Sequence, residues 1–161
     1  MKSVERVRAA LLASGVGDVI IQLPGSARTA QLAAEALTRH LGVEVPVGAI
    51  VKSLVFVVDG QPVLVLVAGD RRGDPHKIAS RAGASAAQIA DAETVRSATG
   101  FALGGVPPLG QPDGLPVWID QSLARFQTVY AAAGHPNAVF PIVFTKLVEI
   151  TRGRLADVTG T

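Results

Sequence analysis

Two apolar segments and the turn between them decide the fold: residues 48–58 (GAIVKSLVFVV), Asp59-Gly60, and residues 62–68 (PVLVLVA). An Asp-Gly pair between two runs rich in β-branched residues is a strong signal for a two-residue hairpin turn. Both faces of both predicted strands are apolar, which indicates that other parts of the chain cover each face. We therefore predict a hairpin that is buried on both sides.

Lys52 is the one charged side chain in the apolar run of residues 45–58. A lone ammonium in such a strand must reach water, find an anion or lose its proton. Ile50 and Leu54 share its face of the strand, and Ser53 lies on the opposite face. Two interpretations stay open for Lys52: a lysine near a strand end whose head reaches water, and a cation that lines a pocket. Ser53 fits a filler, or a polar contact to a neighbouring helix, better than a nucleophile.

The rest of the pattern mixes short helices with short strands. Helices are predicted at residues 3–13, 30–41, 75–82, 92–98 and 146–151, with Ser26 or Thr29, Asp74 and Thr145 as caps. Strands are predicted at residues 18–23, 115–120, 128–132, 138–143 and 156–158, and a turn at residues 85–90. This order predicts an α+β fold with a curled, mixed, mostly antiparallel sheet, half-open like a barrel and flanked by helices. Residues 1–161 are predicted to form a single domain.

Composition excludes several classes of protein. The chain has 161 residues, of which 48% are hydrophobic and 17% charged, and no apolar run is long enough for a membrane span. The N-terminus has no apolar signal core, so we expect a cytoplasmic protein with no membrane partner. The absence of cysteine and the scattering of three histidines exclude thiolate chemistry and lead us to expect no metal or other cofactor. A net charge of +2 with scattered arginines does not indicate binding to duplex DNA.

A glycine-proline segment, Gly104-Gly105-Val106-Pro107-Pro108, is the first candidate site beyond Lys52. The sequence contains no Gly-x-Ser-x-Gly, P-loop or His-Glu-x-x-His motif, which favours chemistry carried by backbone groups. Two glycines leave their N–H groups bare, and two prolines fix the segment that follows. A rigid loop of this kind can bind an oxyanion or a carboxyl oxygen, although the same pattern also fits an ordinary turn.

Two further segments are candidate ligand contacts. In Gly134-His135-Pro136-Asn137, the imidazole of His135 can hydrogen-bond a phosphate or a carbonyl, or the segment can simply shape a turn. Arg28-Thr29 begins a predicted helix, where anions are favoured, and its alternative interpretation is a plain surface cap.

Taken in order, these segments resemble the YbaK/ProX family of aminoacyl-tRNA deacylases, which is related to the editing domain inserted in bacterial prolyl-tRNA synthetases. The matching segments are residues 28–30 (RTA), 50–56 (IVKSLVF), 104–110 (GGVPPLG) and 133–137 (AGHPN). The resemblance extends from about residue 4 to residue 157 and implies a YbaK-like fold. His135-Pro136-Asn137 is similar to the His-Pro-x-x-Asn turn of the alanine-specific branch, except that Asn137 follows His135 by two residues.

The resemblance implies hydrolysis of the ester that joins a wrong amino acid to the 3′ adenosine of tRNA. Lys52 would contact the phosphate of the terminal nucleotide or the ester region, and the amides of Gly104 and Gly105 would contact the aminoacyl carbonyl. The implied substrate-binding residues are Arg28, Thr29, Ser53, Val106, Pro107, Gly134, His135 and Asn137.

We therefore expect a trans-editing hydrolase, most simply one that removes a small amino acid from tRNA(Pro). Its expected partner is the 3′ CCA end of aminoacyl-tRNA, with prolyl-tRNA synthetase as a further candidate, and the protein is expected to be a monomer. The alternative is a catalytically silent module that binds a tRNA end, an amino acid or a synthetase.

Overall fold

The computed structural model of the protein describes residues 2–112 and 114–160. The helices are α1 (Lys2–Ala13), α2 (Ala30–Leu41), α3 (Pro75–Ala82), α4 (Ala92–Thr99) and α5 (Phe144–Thr151). The strands are β1 (Ile21–Gln22), β2 (Ile50–Val58), β3 (Gln61–Ala68), β4 (Arg72–Gly73), β5 (Ala87–Ile89), β6 (Val117–Asp120), β7 (Thr128–Ala132), β8 (Ala138–Val143), β9 (Arg154–Ala156) and β10 (Thr159–Gly160). Among the described residues, no helix has the length and apolar character needed to cross a membrane.

The larger sheet is mixed, and β2 lies inside it. The strand order is β1-β8-β7-β2-β3-β6-β9, with β5 attached to the far end of β2. The pairs β1/β8, β7/β8, β2/β3 and β2/β5 are antiparallel, whereas β2/β7, β3/β6 and β6/β9 are parallel. A separate two-stranded sheet joins β4 to β10. The predicted α+β class, with a mostly antiparallel mixed sheet flanked by helices, is confirmed.

The central hairpin forms as the sequence predicts. Every residue from Val51 to Val58 pairs with β3. Asp59 and Gly60 have φ angles of 46° and 82°, the left-handed pair that matches the twist of the strands in a two-residue turn. The Asp59 carboxylate also accepts hydrogen bonds of 3.0 Å from the N–H groups of Ser85 and Ala86, which fixes the start of β5 against the turn.

Both faces of β2 are covered, because its two sets of side chains meet different helices. Val51 and Val55 belong to the main core, to which α1 and α5 also contribute. On the opposite face Ile50 packs with α2, and Phe56 packs with α3. Lys52 lies on this second face between the two clusters, so the predicted assignment of its face is confirmed.

The errors in the predicted elements share one cause, which is that a strand of two or three residues depends on its pairing partner more than on its own pattern. The predicted turn at residues 85–90 contains β5, and the strand at 18–23 shrinks to β1. Residues 48–49 lie in a 3-10 turn, and the strand at 156–158 overlaps β9 only at Ala156. In addition, α5 begins at Phe144 with Val143 as its N-cap, so Thr145 is not the cap.

Candidate functional site

β2 has an open edge between two strand partners. On one side β7 pairs with Ile50 and Val51, and β5 pairs with residues 56–58, so residues 52–54 face no described strand there. The Val55 carbonyl points to this side, because it accepts a hydrogen bond of 2.9 Å from the N–H that follows β5. Backbone groups alternate between the two edges of a strand, and the N–H and C=O of Ser53 therefore point into the open edge.

A cavity of about 490 Å³ lies at this open edge. It is enclosed by β2, the start of α2, the end of β7 and the loop after α4. Its apolar wall combines small side chains, Ala27, Ala30, Ala33, Ala131 and Ala132, with larger ones such as Leu37, Ile50 and Leu103. Its polar groups come from Arg28, Thr29, Lys52, Ser53 and Gly104. Cavities of this size and mixed character are typical of small-ligand sites.

Lys52 lines the cavity and is half-buried. Its ammonium donates a hydrogen bond to the backbone carbonyl of Arg71, in the turn between β3 and β4. Burial lowers the pKa of Lys52 below its ordinary value, and the positive charge of Arg72 lowers it further, while the carboxylate of Asp70 raises it. The partner of the ammonium in this structure is thus neutral.

An ion pair holds the turn that carries this carbonyl. Arg125 contacts both carboxylate oxygens of Asp70 at 2.7 and 3.0 Å, and its Nε donates to the Ser122 carbonyl at 2.6 Å. The hydrogen bond from Arg125 lowers the pKa of Asp70. This ion pair could not be predicted from the sequence, because its two residues are 55 positions apart and belong to no common local motif.

Ser53 is the buried polar side chain that the fold leaves without a bond. Its Oγ has no hydrogen-bond partner among the described residues, so of the two predicted roles it fits the filler and not the polar contact to a helix. Leaving a buried hydroxyl unpaired costs about 1–3 kcal/mol. Ser53 is also one of the residues that line the cavity.

The start of α2 brings Arg28 and Thr29 to the cavity. Thr29 is the N-cap, as predicted, because its Oγ1 accepts a hydrogen bond of 3.2 Å from the Leu32 N–H. Arg28 is exposed and packs along Gly104, where an added Cβ would lie 3.2 Å from Arg28 Cγ. The φ angle of 89° at Gly104 is one that L-residues rarely adopt, so this position favours glycine on two grounds.

Gly105 has a packing role in this structure, and its amide contact with substrate stays a prediction. Its N–H donates to the Ala102 carbonyl at 3.2 Å, and Gly105 is not among the lining residues of the cavity. An added Cβ would lie 2.8 Å from the backbone nitrogen of His135, so glycine lets two backbones touch. Of the two residues that follow, Val106 lines the cavity and Pro107 is buried without lining it.

The His135 turn supports the cavity from behind. His135 Nδ1 accepts a hydrogen bond of 3.2 Å from the Asn137 N–H, and carbonyls of this turn accept from Leu23 and Ala27 at 2.7 and 2.6 Å. Gly134, His135 and Asn137 do not line the cavity, and their contact with substrate stays a prediction. They position the segment that leads into Arg28.

The chemistry available in the cavity is anion and carbonyl binding. The described lining residues include no carboxylate, imidazole or thiol, and neither the Ser53 nor the Thr29 hydroxyl is hydrogen-bonded to Lys52, so they form no nucleophile–base pair in this structure. Nowhere in the part of the chain that the structure describes do three potential metal ligands gather. An ammonium, a guanidinium, hydroxyls and backbone amides remain, and these groups donate hydrogen bonds to phosphate and carbonyl oxygens.

Leu103 and Tyr130 also line the cavity, and no motif in the sequence singles them out.

The chain is similar in sequence and in fold to known proteins. The family model of the aminoacyl-tRNA editing domain matches residues 25–150. The uncharacterized protein YwhH of Bacillus subtilis (strain 168) is 32% identical over 133 residues, which cover 82% of this chain and 80% of YwhH. The proline–tRNA ligase of Desulfovibrio desulfuricans is 40% identical over 89 residues, which cover 55% of this chain and 15% of the ligase. A solved structure, described as a candidate trans-editing enzyme for prolyl tRNA synthetase, superposes with a TM-score of 0.87 at 39% identity and covers 100% of this chain and 99% of its own.

Proposed function

This chain belongs to the aminoacyl-tRNA editing domain family, and we propose that it is a trans-editing hydrolase that removes a wrong small amino acid from tRNA(Pro). One observation carries the proposal: the cavity at the open edge of β2 brings Lys52 together with unpaired polar groups of Ser53 and with Gly104. The similarity to a proline–tRNA ligase supports tRNA(Pro) as the substrate.

The proposed reaction is hydrolysis of the aminoacyl ester. Water adds its oxygen to the acyl carbon, the bond from that carbon to the ribose oxygen breaks, and the ribose oxygen leaves with a proton. An aminoacyl ester is already activated, so orienting the water and stabilising the developing oxyanion can supply the rate without a protein nucleophile. This agrees with a cavity whose described lining has no nucleophile–base pair.

Each polar group then has a distinct task. When substrate binds, the Lys52 ammonium gives up its hydrogen bond to the Arg71 carbonyl and donates to the phosphate of the terminal nucleotide. The new hydrogen bond is charge-assisted and therefore stronger. The Ser53 N–H and the Gly104 segment face the aminoacyl carbonyl. Arg28, beside Gly104, adds positive charge at the wall of the cavity.

The cavity of about 490 Å³ accommodates a small amino acid as the acyl group within its apolar wall, and the ribose oxygen is the leaving group. Because one methylene changes binding by only about 1–3 kcal/mol, discrimination by this wall is expected to be graded and not absolute.

A single-turnover assay with a panel of mischarged tRNAs tests the function. We expect wild-type protein to release free amino acid, fastest from tRNA(Pro) that carries a small wrong residue, and Lys52→Ala to abolish release while the unfolding temperature stays within a few degrees. Lys146→Ala, which removes a lysine of α5 outside the cavity, is the matched control and should retain full activity. Undiminished release by Lys52→Ala would remove Lys52 from the mechanism. Binding of tRNA without any release would instead identify a silent binding module.

A further inference from the structure

Arg72 lies beside Lys52, and its charge is not compensated. The Lys52 ammonium donates to the carbonyl of Arg71, so the peptide unit between Arg71 and Arg72 lies directly against the ammonium. The Arg72 side chain is exposed, and no carboxylate of residues 2–112 or 114–160 forms an ion pair with it. In contrast, Arg71 and Arg125 both approach Asp70, at 3.9 and 2.7 Å.

The backbone of Arg72 is held on two sides. Arg72 pairs with Gly160 where β4 meets β10. An added Cβ on Gly73 would lie 2.9 Å from the Phe56 ring, so the neighbouring residue is pressed against β2. Side chains alternate along a strand, and the Arg72 side chain is therefore directed away from β2 toward solvent. The backbone that carries this guanidinium is held in place, and the guanidinium itself is accessible to a ligand outside the cavity.

Lys52 and Arg72 form a pair of like charges without a shared counter-ion. Their repulsion contributes to the lowered pKa of Lys52. Asp70, the one nearby carboxylate that acts on Lys52, is already bonded through both oxygens to Arg125. An incoming anion would relieve the repulsion, which makes the surface between the two cations favourable for phosphate.

We propose that Arg72 binds the second phosphate from the RNA 3′ end, on the 5′ side of the penultimate nucleotide, while Lys52 contacts the phosphate of the terminal nucleotide. The inference rests on the proposed function and adds the route of the RNA: its single-stranded 3′ end leaves the cavity across the turn between β3 and β4. A guanidinium suits this task, because its fork of donors matches phosphate oxygens.

Dinucleotides that differ by one phosphate test the assignment. Cytidylyl-adenosine carries only the phosphate next to the terminal adenosine, and its 5′-phosphorylated form carries both. By calorimetry we expect Arg72→Gln to weaken binding of the phosphorylated form about fivefold and to change the other by less than about twofold. Arg72→Lys should restore most of the affinity. Arg96→Gln, which removes an exposed arginine of α4, is the control and should change neither ligand.

Salt dependence supplies a second readout. With an acceptor-stem RNA that ends in CCA, Arg72→Gln should lower the slope of log K against log salt by about 0.7, as expected for one lost phosphate contact. Equal losses for the two dinucleotides, equal slopes for the Arg72 and Arg96 variants, or a wild-type protein that binds neither dinucleotide would overturn the inference. If the dinucleotides bind as expected but mischarged tRNA releases no amino acid, the proposed hydrolysis fails and the phosphate site stands.

Discussion

Ser53 and Asp120 are both polar side chains placed inside the same sheet, and they differ in how many of their bonds are made. The Asp120 carboxylate is 1% exposed and accepts from the N–H groups of Ser122 and Val158 at 3.0 and 2.9 Å, and from the Ser122 hydroxyl. The Ser53 hydroxyl is buried and has no described partner. A saturated group of this kind stabilises the fold, whereas an unsaturated one keeps hydrogen-bonding capacity that the described fold does not use.

The largest effect is expected at the saturated site. Asp120→Ala leaves two buried N–H groups without an acceptor, and we expect it to lower the free energy of unfolding by about 3 kcal/mol or more. Asp91→Ala, at the exposed N-cap of α4 with a single bond to Thr94, should lower it by only about 1 kcal/mol. Urea unfolding of both variants measures the difference. Equal losses of unfolding free energy in the two variants would mean that the buried hydrogen bonds of Asp120 stabilise the fold no more than an exposed N-cap does.

Gly105 links the cavity to the turn behind it. Gly105→Ala places a Cβ 2.8 Å from a backbone nitrogen, which forces the loop of Gly104 to move. We expect kcat/KM for deacylation to fall about 100-fold, since a displacement near 1 Å has an effect of that order. Gly25→Ala is the control, because a Cβ there meets no atom within 4 Å. Unchanged kinetics in Gly105→Ala would show that the loop does not position substrate.

Ser53→Ala sharpens the comparison, because stability and activity should change in opposite directions. Removing an unpaired buried hydroxyl should raise the free energy of unfolding by up to about 1 kcal/mol, while a lost ligand contact should reduce deacylation about threefold to tenfold. Ser122→Ala is the matched control: its hydroxyl is bonded to Asp120, so stability should fall and activity should persist. Loss of stability in Ser53→Ala would indicate a partner within the fold.

The smallest effect is expected at the exposed pair of Asp70 and Arg125, whose side chains are 39% and 37% exposed. The pKa of Asp70 is lowered by Arg125, so the pair stabilises the fold fully above the ordinary carboxyl pKa of about 3.9 and loses this contribution as pH falls through the folded-state pKa. Asp70→Asn should therefore be less stable by under about 1 kcal/mol at neutral pH, and the difference should shrink below about pH 4. Thermal unfolding across this pH range measures it, and a difference that does not vary with pH would contradict the sign.

The sequence predicted the parts of the molecule in which local pattern and long-range pairing agree. The hairpin of residues 50–68 and the face of Lys52 follow from the local pattern, and Thr29 is one of the two caps that the pattern offers for α2. The open edge of β2 could not be predicted, because it depends on where β7 stops and β5 begins. His135 illustrates the same limit, since its motif is the same in a turn and in a ligand contact, and only the fold places it behind the cavity.

The open edge also bears on self-association. Unpaired strand edges are sites where other chains add a strand, and proteins ordinarily protect them. Here the unpaired stretch is three residues long, between β7 on one side and β5 on the other. An incoming strand of the usual five or six residues cannot fit between them. The backbone of Ser53 is thus left without a described strand partner on this side of β2, although the edge is too short for a strand of ordinary length from another chain.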